Sequence, residues 1–271
     1  MSALTLASAP EDAEALEAAE RHHVRLAGEL AGRAAMLLTA ADRDPGAAER
    51  IRAGLVAFCD RELLPHATAE ESVLYPAARS LPDSRLLIES LIAEHSCMTA
   101  LVDALRAAPA PTGAAADARA LQVLFEEHVA KENGLVLPLL AVAPGVRLAT
   151  LLEEMHERVS SATPADGGSD SQASGADADR TVETAQEGCD CGGHAEEAVP
   201  ELDVRSVPHA LRHATVFGAL DAVPAGSAMV LVAPHDPLPL LAQIEQRNPG
   251  RFAVEYLQRG PEAWRLRLGH R

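Results

Sequence analysis

The chain has 271 residues and a formal net charge of −17 at neutral pH. This length predicts two domains, and the acidic charge predicts repulsion from nucleic acid and from anionic membranes. No run of about 18 apolar residues exists, so no transmembrane helix is expected. The four cysteines are too few for a disulfide scaffold. Because the first residues lack the basic and apolar regions of a signal peptide, we expect a cytoplasmic protein.

Residues 1–160 are rich in Ala, Leu, Glu and Arg, with apolar residues at helical spacing. Helices are predicted to end near Ala41, and to run from Asp44 to about Tyr75, from Pro82 to before Pro109, from about Ala114 to before Pro144, and over 146–159. Long helices joined by short loops pack as antiparallel neighbours. The sequence therefore predicts an all-α up-down four-helix bundle over residues 1–160.

Four of these helices carry a histidine on their apolar face, and two of them carry a glutamate one turn later. His66 with Glu70, and His128 with Glu132, are spaced i, i+4, which places both side chains of a pair on the same face. Leucines precede both pairs at helical spacing, so we expect the pairs to point into the core. The candidate metal ligands are His23, His66, Glu70, His95, His128 and Glu132.

The candidate ligands are also predicted to lie at similar heights in the bundle. The height of each residue is its distance along the helix from the connecting turn. The heights of His66 and His95 differ by about one residue, and so do those of His95 and His128. The heights of His23 and His66 differ by more, about 7 Å. Two unpaired carboxylates in a Leu-rich core would cost several kcal/mol each unless a cation compensates them. A lone core histidine usually forms only hydrogen bonds, but this set in one layer predicts a pair of metal ions.

His22 is the alternative to His23 as a ligand from the first helix. Leucines follow His23 at core spacing, whereas charged residues hold the equivalent positions after His22. We therefore expect His23 to face the core and His22 to face outward. Glu71 lies off the apolar stripe and is predicted to be solvated. Cys59 is predicted to lie in the core, and Cys97 to take part in helix packing.

Four segments resemble the hemerythrin-like family, also called the HHE domain: RHH ending at His23, HATAEESVLYP starting at His66, AEH ending at His95, and HVAKENGLVLP starting at His128. The resemblance covers about residues 10–160 and implies a bundle that holds a non-heme di-iron centre. It also implies that Glu70 and Glu132 bridge the two metal ions. Oxygen-carrying members have a fifth histidine that has no clear equivalent here, which favours a reactive or sensing site. Imidazole and carboxylate ligands suit Fe, Mn or Zn, and the resemblance favours iron.

Residues 161–199 differ in composition, being rich in Gly, Ser, Ala, Asp and Glu with a single basic residue, Arg180. Such a segment has almost nothing large to bury, so a flexible acidic linker is predicted. Cys189, Cys191 and His194 within it could form a small metal or redox clip. One CxC motif lacks the second half of a zinc site, so two exposed thiols in a tether are an equal alternative.

Residues 200–271 alternate strand-like and helix-like patterns, which predicts a small α/β two-layer sandwich of order βαβαββ. LDVRSVPHALRH, PHDPLPLL and GPEAWRLRL resemble an uncharacterised domain family often found beside hemerythrin-like domains, itself similar in fold to the TusA/SirA sulfur carriers. Those carriers use a cysteine after the first strand, where this chain has Val207-Pro208-His209, so persulfide chemistry is not expected.

A polar cluster in this last region is a candidate site for a small anion or for a carboxylate of a partner protein. Its members are Arg205, His209, Arg212, His213, His235 and Asp236. The structural alternative for Asp236 is that it caps the second helix of the region.

These patterns predict a non-heme di-iron, cation-binding protein that senses or binds O₂, NO or peroxide, rather than a dedicated enzyme. The alternatives are a di-iron enzyme that turns over peroxide or NO, an iron-buffering protein, and a C-terminal domain that the bundle only regulates. Tyr75, five residues after Glu70, could approach the centre as a proton donor. Expected partners are a diatomic molecule or peroxide, and an unidentified protein or small anion at the C-terminal domain, with no nucleic acid and no membrane.

Overall fold

The computed structural model describes residues 9–82, 84–162 and 199–271. Its helices are α1 (Pro10–Ala40), α2 (Pro45–Phe58), α3 (Leu64–Ser72), α4 (Leu74–Arg79), α5 (Arg85–Ala107), α6 (Pro111–Lys131), α7 (Leu137–Val142), α8 (Leu148–Ala162), α9 (Arg212–Asp221) and α10 (Leu238–Arg247). Its strands are β1 (Glu201–Asp203), β2 (Ala228–Ala233), β3 (Phe252–Arg259) and β4 (Trp264–His270). This order confirms the predicted all-α region followed by a small α/β region. None of the described helices is long and apolar enough to cross a membrane.

The predicted linker falls almost entirely on residues that lie outside the described part of the chain. The same holds for the candidate clip of Cys189, Cys191 and His194. Both therefore stay predictions from the sequence.

Helices α1, α2, α5 and α6 form the bundle. Helix α1 packs against α2 and α6, and α5 packs against the same two helices, which closes a four-helix arrangement. A proline begins α1, α2 and α6, at a position where the missing N–H would have had no helical partner. Asp44 caps α2 by accepting a hydrogen bond of 2.9 Å from the Ala47 amide. These helix starts keep the connections short and the candidate ligands close to one level.

The second and fourth predicted helices are not continuous, so those two predictions are wrong in detail. Cys59–Leu63 and Glu132–Val136 form π-helical turns, and each turn directly precedes a Leu-Pro pair. Pro65 and Pro138 lack an N–H, and their rings clash with a carbonyl one turn earlier, so the hydrogen bonding widens locally from i+4 to i+5. A further break at Val73, with φ −122° and ψ −59°, separates α3 from α4. All three irregularities adjoin the two His-x-x-x-Glu pairs.

Helix α8 packs across α1 and α3, beside the bundle. Asp12 of α1 is buried and accepts a hydrogen bond of 2.9 Å from the Ala149 amide at the start of α8. Near the other end of α8, Arg158 donates a hydrogen bond of 3.3 Å to the Ser72 carbonyl. Both ends of α8 are thus fixed to the helices that carry His23 and His66.

The C-terminal sheet has the strand order β1-β2-β4-β3, with β1 parallel to β2 and the other neighbours antiparallel. Helix α9 begins at Arg212, after a turn in which the Leu211 amide donates to the Pro208 carbonyl. The N-cap prediction for Asp236 is wrong. Pro237 holds that position, and Asp236 instead accepts a hydrogen bond of 2.9 Å from the Tyr256 hydroxyl.

The C-terminal region is in direct contact with the bundle, because α9 packs along α1. Gly28 and Gly32 of α1 face Ala214, Thr215 and Gly218 of α9. A Cβ on Gly32 would overlap the Thr215 carbonyl oxygen and lie 2.5 Å from the Ala219 amide nitrogen. Only glycine allows two backbones to approach this closely.

Candidate metal centre

The structure brings all six candidate ligands together in the core of the bundle. None of the six residues is more than 5% exposed. Nε2 of His23 lies 3.1 Å from Nε2 of His66, and the corresponding distance between His95 and His128 is 3.0 Å. Two sets of residues each offer potential donor atoms that lie within 4.8 Å of one another. The first set is His23, His66 and Glu70, and the second set is Glu70, His95 and His128. Glu70 belongs to both sets.

Three of the four imidazoles are oriented by an acceptor on their other ring nitrogen, Nδ1. The pairs are His23 with Asn133 Oδ1 at 2.6 Å, His95 with Glu71 Oε1 at 2.9 Å, and His128 with Glu94 Oε2 at 3.0 Å. An acceptor at Nδ1 favours a proton there and leaves the Nε2 lone pair facing the interior. The imidazoles are therefore arranged as donors to a common centre.

These three acceptors were not found from the sequence. Glu71 is exposed, as predicted, but its carboxylate also contacts His95, which the sequence did not predict. Each acceptor is the immediate chain neighbour of a candidate ligand: Glu71 follows Glu70, Glu94 precedes His95, and Asn133 follows Glu132. A residue next to a ligand in the chain is rotated by about 100° around the helix axis from that ligand, which turns it toward an adjacent helix. A polar residue at such a position is therefore the sequence feature that could have predicted these acceptors.

The buried carboxylates provide a test of whether a cation fits here. Within the described residues, Oε1 of Glu70 and Oε2 of Glu132 have no hydrogen-bond partner. Nε2 of His23 lies 3.4 Å from Glu70 Oε1, and Nε2 of His95 lies 3.4 Å from Glu70 Oε2, so the lone pairs of two oriented imidazoles face carboxylate oxygens. Such contacts are repulsive unless positive charge lies between them. The orphaned oxygens and the inward Nε2 atoms together fit metal ions.

The pKa values of the two buried carboxylates shift in opposite directions. Burial disfavours the ionised form of Glu70, but His66, His23 and His95 outweigh burial and hold its pKa well below the usual range. Burial and the neighbouring Glu70 charge raise the pKa of Glu132 well above the usual range. The protein alone therefore ionises one of the two carboxylates, and two divalent cations would allow both to ionise.

Tyr75 adds an oxygen to the centre. Its side chain is 1% exposed, and its hydroxyl donates a hydrogen bond of 2.7 Å to Glu132 Oε1. The same oxygen lies 3.4 Å from Nε2 of both His95 and His128. Burial and the carboxylate charges raise the pKa of Tyr75, so the phenol stays protonated. It is a candidate proton donor, and its oxygen lies among the potential ligand atoms.

The other polar residues singled out from the sequence lie elsewhere. His22 is exposed, as predicted, although its ring centroid is 4.9 Å from that of His66. Cys59 is buried, as predicted, but Cys97 is exposed, so its predicted role in helix packing is wrong.

The polar cluster of the C-terminal region is divided among internal partners. Arg205 pairs with Asp203 at 2.7 Å, and Arg212 donates a hydrogen bond of 2.9 Å to the Val207 carbonyl. Nδ1 of His213 lies 3.0 Å from the Gln243 side-chain oxygen. Binding of an anion there would have to replace some of these contacts.

Comparisons with known families agree with this organisation. A family model described as the hemerythrin HHE cation binding domain matches residues 11–140, which span α1 to α7. A second model, described as an uncharacterized conserved protein (DUF2249), matches residues 201–270, which span β1 to β4. Searches of the curated proteins and of the solved structures gave no match. The chain therefore carries a hemerythrin HHE cation-binding domain, followed by a DUF2249 domain.

Proposed function

We propose that the bundle binds a pair of non-heme iron ions and senses O₂, NO or peroxide, and that the C-terminal domain is the responding element. The observation that carries this proposal is that one helix, α1, takes part in both places. Its His23 belongs to the candidate centre, and its Gly28 and Gly32 contact α9. A displacement of His23 would therefore be transmitted to α9 through one continuous helix.

The six candidate ligands would hold the iron, with Glu70 shared between the two sets of donor atoms. Bound iron would supply redox activity and open coordination positions for the small molecule. The protein's own part is to fix the orientation of three imidazoles through Asn133, Glu71 and Glu94. Such hydrogen bonds hold each imidazole ring in one orientation, so a change at the metal would move the ring together with its hydrogen-bond partner.

The contact between α1 and α9 leaves no room for independent movement. A Cβ on Gly218 of α9 would lie 2.6 Å from Cα of Glu29, in addition to the close approach at Gly32. Backbone meets backbone on both sides, so flexible side chains cannot absorb a shift of α1. Any rotation or translation of α1 must move α9 or separate the two helices.

A chain of ion pairs also connects the two regions. Arg25 pairs with Glu62 of the first π-helical turn at 2.7 Å and with Glu29 at 3.2 Å. Arg33 pairs with Glu29 and with Asp221 at the end of α9, both at 3.3 Å. Glu29 is 2% exposed and Arg33 is 8% exposed. Breaking a buried pair typically costs about 3–5 kcal/mol, so these pairs favour one register of α9 on α1.

Amide hydrogen exchange of α9 tests the sensing proposal. In the iron-loaded full chain, adding NO without oxygen is expected to change the exchange rate of residues 212–221 by about fivefold or more, the range of typical allosteric coupling. The His66→Ala variant is the control, because it is expected to lack the centre and to show no response to NO. Unchanged exchange in wild-type protein whose absorption spectrum shows bound NO would contradict the proposal.

A specific contact favours turnover of peroxide as the second candidate function. The Tyr75 hydroxyl is buried beside Glu132 and can donate a proton at the centre. If the protein is an enzyme, Tyr75→Phe is expected to keep its metal content and to lower the rate of peroxide turnover by about 10²-fold, as removal of a positioned acid does. The measurement is peroxide consumption over a range of pH, with iron content determined on the same samples. Turnover equal to the wild-type rate would exclude Tyr75 as the donor.

A further inference from the structure

A cavity of about 880 Å³ lies between α1 and α8 and reaches the candidate metal centre. Its deepest residues are His23, His66 and Glu70, which are all buried. His95 and His128 do not line it, so the cavity opens onto one half of the centre only. A diatomic molecule needs a small part of this space, whereas cavities of about 300–1,000 Å³ are typical of sites for organic ligands.

The walls of the cavity are mostly apolar. Ala15, Ala18 and Ala19 line it from α1, and Leu152 and Met155 line it from α8. Because α8 is fixed at both ends by the contacts of Asp12 and Arg158, these walls belong to the folded bundle. Polar atoms are concentrated at the floor and at the mouth. An occupant with an apolar body and one polar end matches this distribution.

The mouth of the cavity is acidic. Glu14, Glu153 and Glu157 line it and are exposed, and none of them forms an ion pair within the described part of the chain. The cationic lining residue Arg21 pairs with Glu17, which removes much of its compensating charge. Three uncompensated carboxylates disfavour entry of an anion such as a fatty acid. A neutral molecule meets no such barrier.

We propose that this cavity binds a neutral, largely apolar organic hydroperoxide, with its –OOH group at the floor formed by His23, His66 and Glu70. The proposal rests on the proposed function in that peroxide is one of the small molecules expected at the centre, and it adds the class of peroxide. A metal ion held by His23, His66 and Glu70 would offer a coordination position to the polar end of the molecule, and the walls would bury its hydrocarbon part.

The test uses the full chain loaded with zinc, so that no redox reaction consumes the probe. The probe is 2-phenyl-2-propanol, the alcohol that corresponds to cumene hydroperoxide, and its binding is measured by calorimetry. Ala15→Phe and Ala19→Phe each place a ring in the cavity, because both alanines line it and are partly buried. Ala104→Phe, at an exposed position of α5 that does not line the cavity, is the matched control. Metal content and melting temperature show that each variant is folded.

We expect saturable binding at one site per chain in the wild type and in Ala104→Phe, and a loss of about tenfold or more in affinity in both cavity variants. Absence of saturable binding in the wild type, or equal affinity in the cavity variants, would overturn the proposal. Because zinc is used, this result does not depend on whether iron senses NO. Loss of the NO response with retained alcohol binding would overturn the sensing function alone.

Discussion

Replacing Glu70 by Ala is expected to abolish binding of both metal ions, because Glu70 is the carboxylate shared by the two sets of donor atoms. The wild-type protein should bind close to two ions per chain, and the variant should bind none after dialysis. The matched control is Glu71→Ala at the next position. Glu71 contacts His95 only through Nδ1, so its loss should weaken metal binding by about 10–100-fold without removing the site.

The same variant predicts an effect on stability. A metal ion present at about a thousandfold above its dissociation constant stabilises the folded state by about 4 kcal/mol, which corresponds to roughly 10 °C in melting temperature for a chain of this size. We expect this shift in the wild type and its absence in Glu70→Ala. Stoichiometric metal in Glu70→Ala would contradict the assignment.

Gly32→Leu is expected to separate the C-terminal domain from the bundle. The added side chain would overlap the Thr215 carbonyl and approach the Ala219 amide, and backbone atoms in a helix cannot move aside as a flexible side chain does. Metal content should be unchanged, because Gly32 lies more than two turns along α1 from His23. Small-angle scattering should show a larger radius of gyration, and exchange of α9 should lose its dependence on NO.

Gly54→Leu is the control for this variant. Gly54 lies on α2 with no heavy atom within 4 Å of the position of a new Cβ, so the same substitution should change neither the scattering nor the exchange. If Gly32→Leu gave the same scattering profile and the same α9 protection as the wild type, the contact between α1 and α9 would be disproved.

The six candidate ligands could be predicted from the sequence because their arrangement depends on the periodicity of each helix. The i, i+4 spacing of His66 with Glu70 and of His128 with Glu132 is set by the helix alone. The π-helical turns were not predicted, because the two prolines fall inside otherwise helical patterns. Pro65 and Pro138 were the visible signal that the hydrogen bonding must change before them.

The contact between the two regions could not be derived from periodicity. The acidic segment predicts a tethered C-terminal domain, and the periodicity of α1 identifies only the core face that carries His23. Gly28 and Gly32 are spaced i, i+4 on α1, as are Ala214 and Gly218 on α9. This spacing marks a surface suited to close helix packing, but it does not identify the partner helix. Choosing the partner requires the complementary shapes of two segments far apart in the chain.

The central claim is that the bundle holds a pair of iron ions through His23, His66, Glu70, His95, His128 and Glu132. Metal analysis of the full chain from iron-replete cells, combined with its absorption spectrum before and after dithionite, tests it most directly. We predict two irons per chain, one for each set of donor atoms, with near-ultraviolet and visible bands that bleach on reduction and return in air. Zinc alone or no metal would contradict the claim, and many irons per chain would instead indicate iron buffering.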